Sequence, residues 1–113
     1  MVALVWKERP TSTALDFDRV TELGAEAVAL ALVHETRGWT VARRMQKTEH
    51  ADWLMSDPAT NRKVAFEISG TATSSLTSRV TEKLRQVAEC FVPRRTVCVV
   101  RFQEPRARLV DWR

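Results

Sequence analysis

Apolar positions along this chain change their period several times, and each change marks an element. From about Asp16 to Arg37, the residues Phe17, Val20, Gly24, Ala27, Val28, Ala31 and Leu32 recur at spacings of three and four, which predicts an amphipathic helix ended by Gly38. Trp39 to Met45 alternates instead, with Trp39, Val41, Arg43 and Met45 on one face and Thr40, Ala42 and Arg44 on the other, the pattern of a strand. A second strand is expected over Ala51 to Met55, stopping at Asp57-Pro58 and the turn residues Ala59-Thr60-Asn61, so that it forms a hairpin with the next run. That run, Lys63 to Ser69, alternates Val64, Phe66 and Ile68 with Lys63, Ala65, Glu67 and Ser69, and Gly70 is expected to break it.

The second half repeats the change of period. Thr71 to Ser75 is a small-residue loop rich in helix N-cap residues. A helix is expected from Leu76 to Phe91, its inner stripe made by Leu76, Val80, Leu84, Val87 and Phe91, with Pro93 stopping it. Thr96 to Phe102 has the β-branched content of a buried strand, and Leu109 to Trp112 suits a short edge strand after Pro105. The first dozen residues allow an edge strand at Val2 to Trp6 and a turn at Arg9-Pro10-Thr11-Ser12. The predicted order is one helix, three strands, one helix and one strand, an α/β fold.

Length and composition limit this further. A chain of 113 residues holds one core and is too short for two ordinary domains, so a single domain over residues 1–113 and a single site are expected. The start of the chain lacks the basic and apolar regions of a secretory signal, and no apolar run approaches the length of a membrane span. A cytoplasmic protein without a membrane partner is therefore expected. Cys90 and Cys98 lack CxxC spacing and are expected to be small core residues. Charge is uneven: residues 1–57 carry seven Lys and Arg against nine Asp and Glu, and residues 58–113 carry eleven against five. A basic half suits neutralising a phosphate backbone, and it equally suits a solubilising surface.

Two acidic residues stand out by position. Asp52 falls at the start of the expected second strand and Glu67 near the end of the third, so a hairpin turning at residues 57–62 brings them opposite each other. Two close carboxylates repel unless a cation lies between them, and an oxygen-only pair suits Mg²⁺ or Mn²⁺. A structural alternative stays open, in which Asp52 caps a strand or pairs with Arg44 and Glu67 pairs with Lys63 or an arginine.

Helix, three-strand meander, helix and strand, with Asp at the second strand and Glu-Ile-Ser in the third, resembles the core of the PD-(D/E)XK nuclease superfamily over roughly residues 16–102. The resemblance implies a restriction-endonuclease-like fold of order αβββαβ, with a mixed sheet flanked by helices, and metal-dependent hydrolysis of nucleic-acid phosphodiesters. It implies Asp52 and Glu67 as ligands of Mg²⁺ or Mn²⁺, with Glu22 or Glu26 as the acidic residue that some branches carry on the first helix. Ser69 stands where the family places its lysine. Strand alternation keeps Ser69 on the face of Glu67, so the motif keeps its geometry and loses its cation. Lys83 is the preferred replacement, with Arg79 and Lys63 as further cations, and Gln86 resembles a polar substrate contact on the second helix. A homodimer is implied by resemblance only.

Other residues carry less. His34 and His50 lack a second ligand at zinc spacing, although His50 lies two residues before Asp52. The chain has no Gly-x-Ser-x-Gly elbow and too few glycines for a phosphate-cradling loop. Of the four tryptophans, Trp39 and Trp53 are expected in the core and Trp112 at an interface. Two function classes follow: a metal-dependent nuclease using Asp52, Glu67 and Lys83, or a catalytically inactive binding module on the same scaffold. The module would be an antitoxin, immunity or accessory subunit recognising a protein or nucleic acid, with Ser69 recording lost catalysis.

Overall fold

The computed structural model describes residues 14–72, 75–103 and 105–112. The expected edge strand at Val2 to Trp6 and the turn after it lie outside the described residues. The elements are α1 (Ala14–Arg37), β1 (Thr40–Arg44), a single 3-10 turn (Lys47–Glu49), β2 (Trp53–Asp57), β3 (Arg62–Thr71), α2 (Leu76–Val87), β4 (Arg95–Arg101) and β5 (Arg106–Asp111). Their strands form one mixed sheet in the order β1-β2-β3-β4-β5, antiparallel except for the β3–β4 pair, which is parallel and is joined through α2. A parallel pair needs a long crossover, and α2 supplies it.

Alternation along the strands puts one helix on each face. Val64, Phe66 and Ile68 of β3 and Cys98 and Val100 of β4 share a core with Ala25, Ala29 and Val33 of α1, while Val97 and Val99 of β4 pack with Val80 and Val87 of α2. A third cluster, Met45, Ala51, Ala65, Cys90 and Val92, closes the α2 face below the end of that helix. Because both faces are covered, β3 is buried from Val64 to Thr71. Among the described residues, no helix is long and apolar enough to cross a membrane.

Five details depart from the sequence reading, each for a physical reason. The buried stripe of α1 is Ala25, Ala29 and Val33, while Ala27 is exposed, because small residues at every fourth position let the helix lie close to the sheet. Gly70 does not end β3. A side chain there would put its Cβ 2.7 Å from the Thr21 carbonyl oxygen and 2.9 Å from Ala25 Cβ, so glycine is required by the close approach of α1. β1 carries a bulge between Val41 and Arg43, which reverses the alternation. Trp39 therefore joins the α1 core and Met45 the α2 side, although the sequence placed them on one face. β2 begins and ends two residues later than expected, since Asp57 closes the turn with its own carboxylate, accepting from Ala59 N at 3.0 Å and Thr60 Oγ1 at 3.1 Å and from Arg94 at 2.7 Å. α2 ends at Val87 rather than Phe91; Phe91 is 69% exposed and Cys90 takes the buried position.

The tryptophans divide in a related way. Trp39 is buried, edge-on to Phe66 at 6.2 Å, an arrangement worth about 1 kcal/mol beyond its area. Trp53 is half-buried beside the same core under the Arg44 guanidinium. Trp112 packs against the α2 cluster beneath Arg95 at 4.1 Å, so its ring is already partnered within the chain.

Candidate functional site

The site forms where β2 stops alongside a longer β3. Trp53 is the last paired residue of β2, opposite Phe66, and continuing that register by one position sets Asp52 opposite Glu67. The Asp52 N–H still reaches the Phe66 carbonyl at 3.1 Å, and the Asp52 carbonyl accepts from Met45 N at 2.9 Å, which anchors the residue between β1 and β3. Beyond this point β3 has lost its neighbour on that edge. The Ile68 N–H instead donates to Asp52 Oδ2 at 2.8 Å, and the Gly70 N–H donates to the carboxylate of Glu22 from α1. Two carboxylates thus complete the strand edge, because buried backbone donors without partners are costly.

Glu67 faces α2, only 2% exposed, and its carboxyl is hydrogen-bonded to that of Asp52. Lys83 Nζ lies 3.3 Å from Glu67 Oε2 and 3.2 Å from Gln86 Oε1, one turn along the same helix. Burial pushes the Glu67 carboxyl up to about 8, with the hydrogen bond and charge of Asp52 adding to the rise and Lys83 opposing it. Glu67 therefore holds a proton at neutral pH, and that proton bridges the pair. Burial also raises the Glu22 carboxyl, against the pull of the Gly70 N–H and Lys83 and with a further push from Asp52.

A polar cleft of about 350 Å³ opens at this pair. Asp52, Glu67 and Gln86 line it together with Arg44, Met45, Lys47 and Ala51 from the β1–β2 connection. Its size is at the lower end for ligand sites and suits a phosphate-sized group.

Of the residues singled out from sequence, Asp52, Glu67, Lys83 and Gln86 come together, with Glu22 and Arg79 within electrostatic reach. Glu22 is the α1 residue near the pair; Glu26, one turn on, has Arg44 at 3.6 Å as its partner. Arg79 pairs with Glu82 at 3.6 Å. Ser69 shares the face of Glu67 but is 2% exposed and does not line the cleft, so its hydroxyl has no open surface for substrate. Of the structural alternatives, the strand-capping role of Asp52 is realised at Ile68 N, whereas the two pairings are not: Arg44 pairs with Glu26 rather than Asp52, and Lys63 bonds Ser56 at 2.7 Å rather than Glu67. His50 is exposed in a left-handed conformation (φ 62°) capping the 3-10 turn. Lys47 was not foreseen at the site and Arg44 was foreseen only as a partner of Asp52, although three cations in five positions, Arg43, Arg44 and Lys47, just before Asp52 were a readable signal.

Among the described residues, no three His, Cys, Asp or Glu side chains form a ready-made metal group. The oxygen donors come as the pair Asp52–Glu67 with Glu22 nearby. No protein-family model matches the chain, and searches of curated proteins and of solved structures also return no match.

Proposed function

We propose that this chain is a divergent PD-(D/E)XK-type nuclease domain that hydrolyses nucleic-acid phosphodiesters with a divalent cation. One observation carries the reading: Asp52 and Glu67 lie side by side at the cleft, and Lys83 reaches Glu67 from α2 at 3.3 Å. Ser69 left the motif without a cation, and Lys83 supplies one at the same carboxylate from a neighbouring element. The sheet supports the reading as well. A three-stranded meander, a helix and a further strand in one mixed sheet with a helix on each face agree with the coarse arrangement that the resemblance implies.

The donor set fits Mg²⁺ or Mn²⁺, which take oxygen ligands, need only one or two carboxylates and retain several waters. Asp52 and Glu67 would hold the ion, with Glu22 available through water. When bound, such an ion supplies Lewis-acid activation of water and of the phosphodiester. Lys83 would set its charge against the negative charge that develops on the phosphate, and Gln86 would orient the ammonium through their hydrogen bond. Asp52 would keep its second role, holding the β3 edge at Ile68 N, so the ligand is positioned before any ion arrives.

Calorimetric titration of Mn²⁺ and Mg²⁺ into wild type and Glu67→Ala, followed by cleavage assays on single- and double-stranded DNA and RNA, tests this reading. Ion binding lost in the variant, with ion-dependent cleavage by wild type, is the expected result. No ion binding in either protein would overturn it.

A second reading has its own support in the proton held by Glu67 and the buried Ser69. Here the pair is a structural clasp, and the chain is an inactive binding module for a protein or nucleic acid. Wild type that binds a partner but neither binds the ion nor cleaves is its signature.

A further inference from the structure

The cleft has a second cationic side that the reaction chemistry leaves unused. Arg44 and Lys47 line it together with Asp52 and Glu67, and they come from the β1–β2 connection, whereas Lys83 comes from α2. The connection is braced. The Gln46 N–H donates to Glu49 Oε1 at 2.7 Å, Gln46 and Glu49 close a reciprocal capping box, and the Arg43 guanidinium grips Glu49 with both terminal nitrogens at 3.0 and 2.8 Å. Glu49 is thereby committed to Arg43 and Gln46, and its carboxyl is held down to about 2 by the Arg43 hydrogen bond, so the one acidic residue of the turn is occupied away from Lys47. The Lys47 side chain is exposed and has no ion pair or hydrogen bond among the described residues, and only its backbone carbonyl is engaged, by His50 N. Arg44 holds Glu26 only at 3.6 Å, with its side chain 64% exposed and its guanidinium over the Trp53 ring.

A rigid turn that presents an unpaired ammonium and a loosely held guanidinium toward a carboxylate pair has an evident use. The cleft carries Asp52 and Glu67 at its floor, so an anionic ligand needs positive charge close by to enter at all. We propose that Lys47 and Arg44 form a phosphate grip for the nucleic-acid strand, contacting phosphates next to the one that faces Asp52 and Glu67. The strand then runs across the cleft between the 3-10 turn and α2. The inference rests on the nuclease reading above and adds the residues that hold the substrate backbone. These contacts are to phosphates and not to bases, so they bind without sequence preference and weaken with salt.

The test is fluorescence anisotropy of labelled single-stranded and duplex DNA oligonucleotides in Ca²⁺, as a function of salt. Lys47→Ala, Arg44→Ala/Lys47→Ala and Lys63→Ala are compared with wild type. Lys47 has no partner to lose, so its variant keeps the fold. Lys63 is the charge-matched control, bonded to Ser56 and roughly 13 Å along β3 from Glu67. The expected result is a loss of about tenfold in affinity for the double variant. Its salt slope should fall by about 1 per lost phosphate contact. Lys63→Ala should stay near wild type. Equal losses in Lys63→Ala and Lys47→Ala would overturn the grip, since the effect would then be net charge alone. If the double variant binds like wild type while cleavage still requires Glu67, the grip falls and the nuclease reading stands. If wild type binds neither oligonucleotide and cleaves nothing, both fall together.

Discussion

Replacing Glu67 by glutamine isolates the shared proton of the carboxylate pair. The protonated carboxyl of Glu67 faces Asp52, and a glutamine amide keeps the donor toward Asp52 and an oxygen for Lys83 without titrating. In the folded chain Glu67 titrates near 8, against an ordinary value of 4.5, because it is buried beside Asp52. The native state thus retains a proton that the unfolded chain gives up. The contribution to stability is fully present below about 4.5 and is lost as pH rises through about 8. Each pH unit between those values removes about 1.4 kcal/mol, so the ceiling over the whole window is about 5 kcal/mol. That is a large share of the roughly 5–15 kcal/mol that holds a domain together. Urea denaturation of wild type and Glu67→Gln in a chelator, from about pH 5 to about pH 9, reads the difference for the coupled Asp52–Glu67 pair and cancels the titrating groups remote from it. The two proteins should match near the acid end, with the variant increasingly the more stable above it. A difference that stays flat across the window would refute the buried shared proton. Saturating Mg²⁺ at the alkaline end should then restore wild type alone, since an ion that binds only the folded state stabilises it.

Three other outcomes follow from the same structure. Lys83→Ala should reduce ion-dependent cleavage by roughly a hundredfold or more while leaving oligonucleotide affinity close to wild type, because its charge is used where the reaction develops charge; steady-state kinetics separates the two. Gly70→Ala should destabilise the fold by about 2–3 kcal/mol in urea, since the added methyl meets the Thr21 backbone at 2.7 Å and α1 must move away. Cys90 and Cys98 are buried, and burial pushes the Cys98 thiol up to about 12, so a thiol-specific reagent should label neither at neutral pH until the protein unfolds.

The fold was legible where the hydrophobic period was regular and misread where tertiary contacts overrode it. β3 and β4 declare themselves through β-branched content, and α1 through its length and Gly38, which adopts a left-handed φ of 70°. The bulge in β1 has no signature in Thr40 to Arg44, all of which are exposed, so nothing in their polarity reports the reversal. Gly70 was ambiguous by nature. A glycine after an alternating run signals either a strand end or a close crossing, and only the position of Thr21 and Ala25 on α1 decides between them. For the site, the hairpin register followed from the turn, which is why Asp52 and Glu67 were placed opposite each other from sequence. The choice between Glu22 and Glu26 was not available there. Residues four apart share a helix face, and the selection depends on where α1 meets the open edge of β3. The place of Arg44 and Lys47 in the cleft lining was missed because their approach depends on the bulge and the 3-10 turn.

The carboxylates have two duties, and one substitution pair separates them. Asp52 accepts from the Ile68 N–H where β2 no longer can, so it is part of the sheet as well as of the site. Asp52→Ala removes both the acceptor and the charge, leaving the donor of a buried strand residue unpaired at a cost of about 1–3 kcal/mol. Asp52→Asn keeps an oxygen for that N–H, removes the charge and turns an amide donor toward Glu67, which can accept it. If Asp52 is both a clasp and an ion ligand, Asn should hold stability near wild type and lose Mn²⁺ binding in calorimetry, while Ala loses both. If Asn keeps Mn²⁺ affinity as well as stability, the carboxylate serves the strand edge alone, and the ion must be sought elsewhere or given up. A stable Asn variant without the ion would tie the place where β2 ends to the place where chemistry begins, since the break in the ladder is what turns Asp52 toward Glu67.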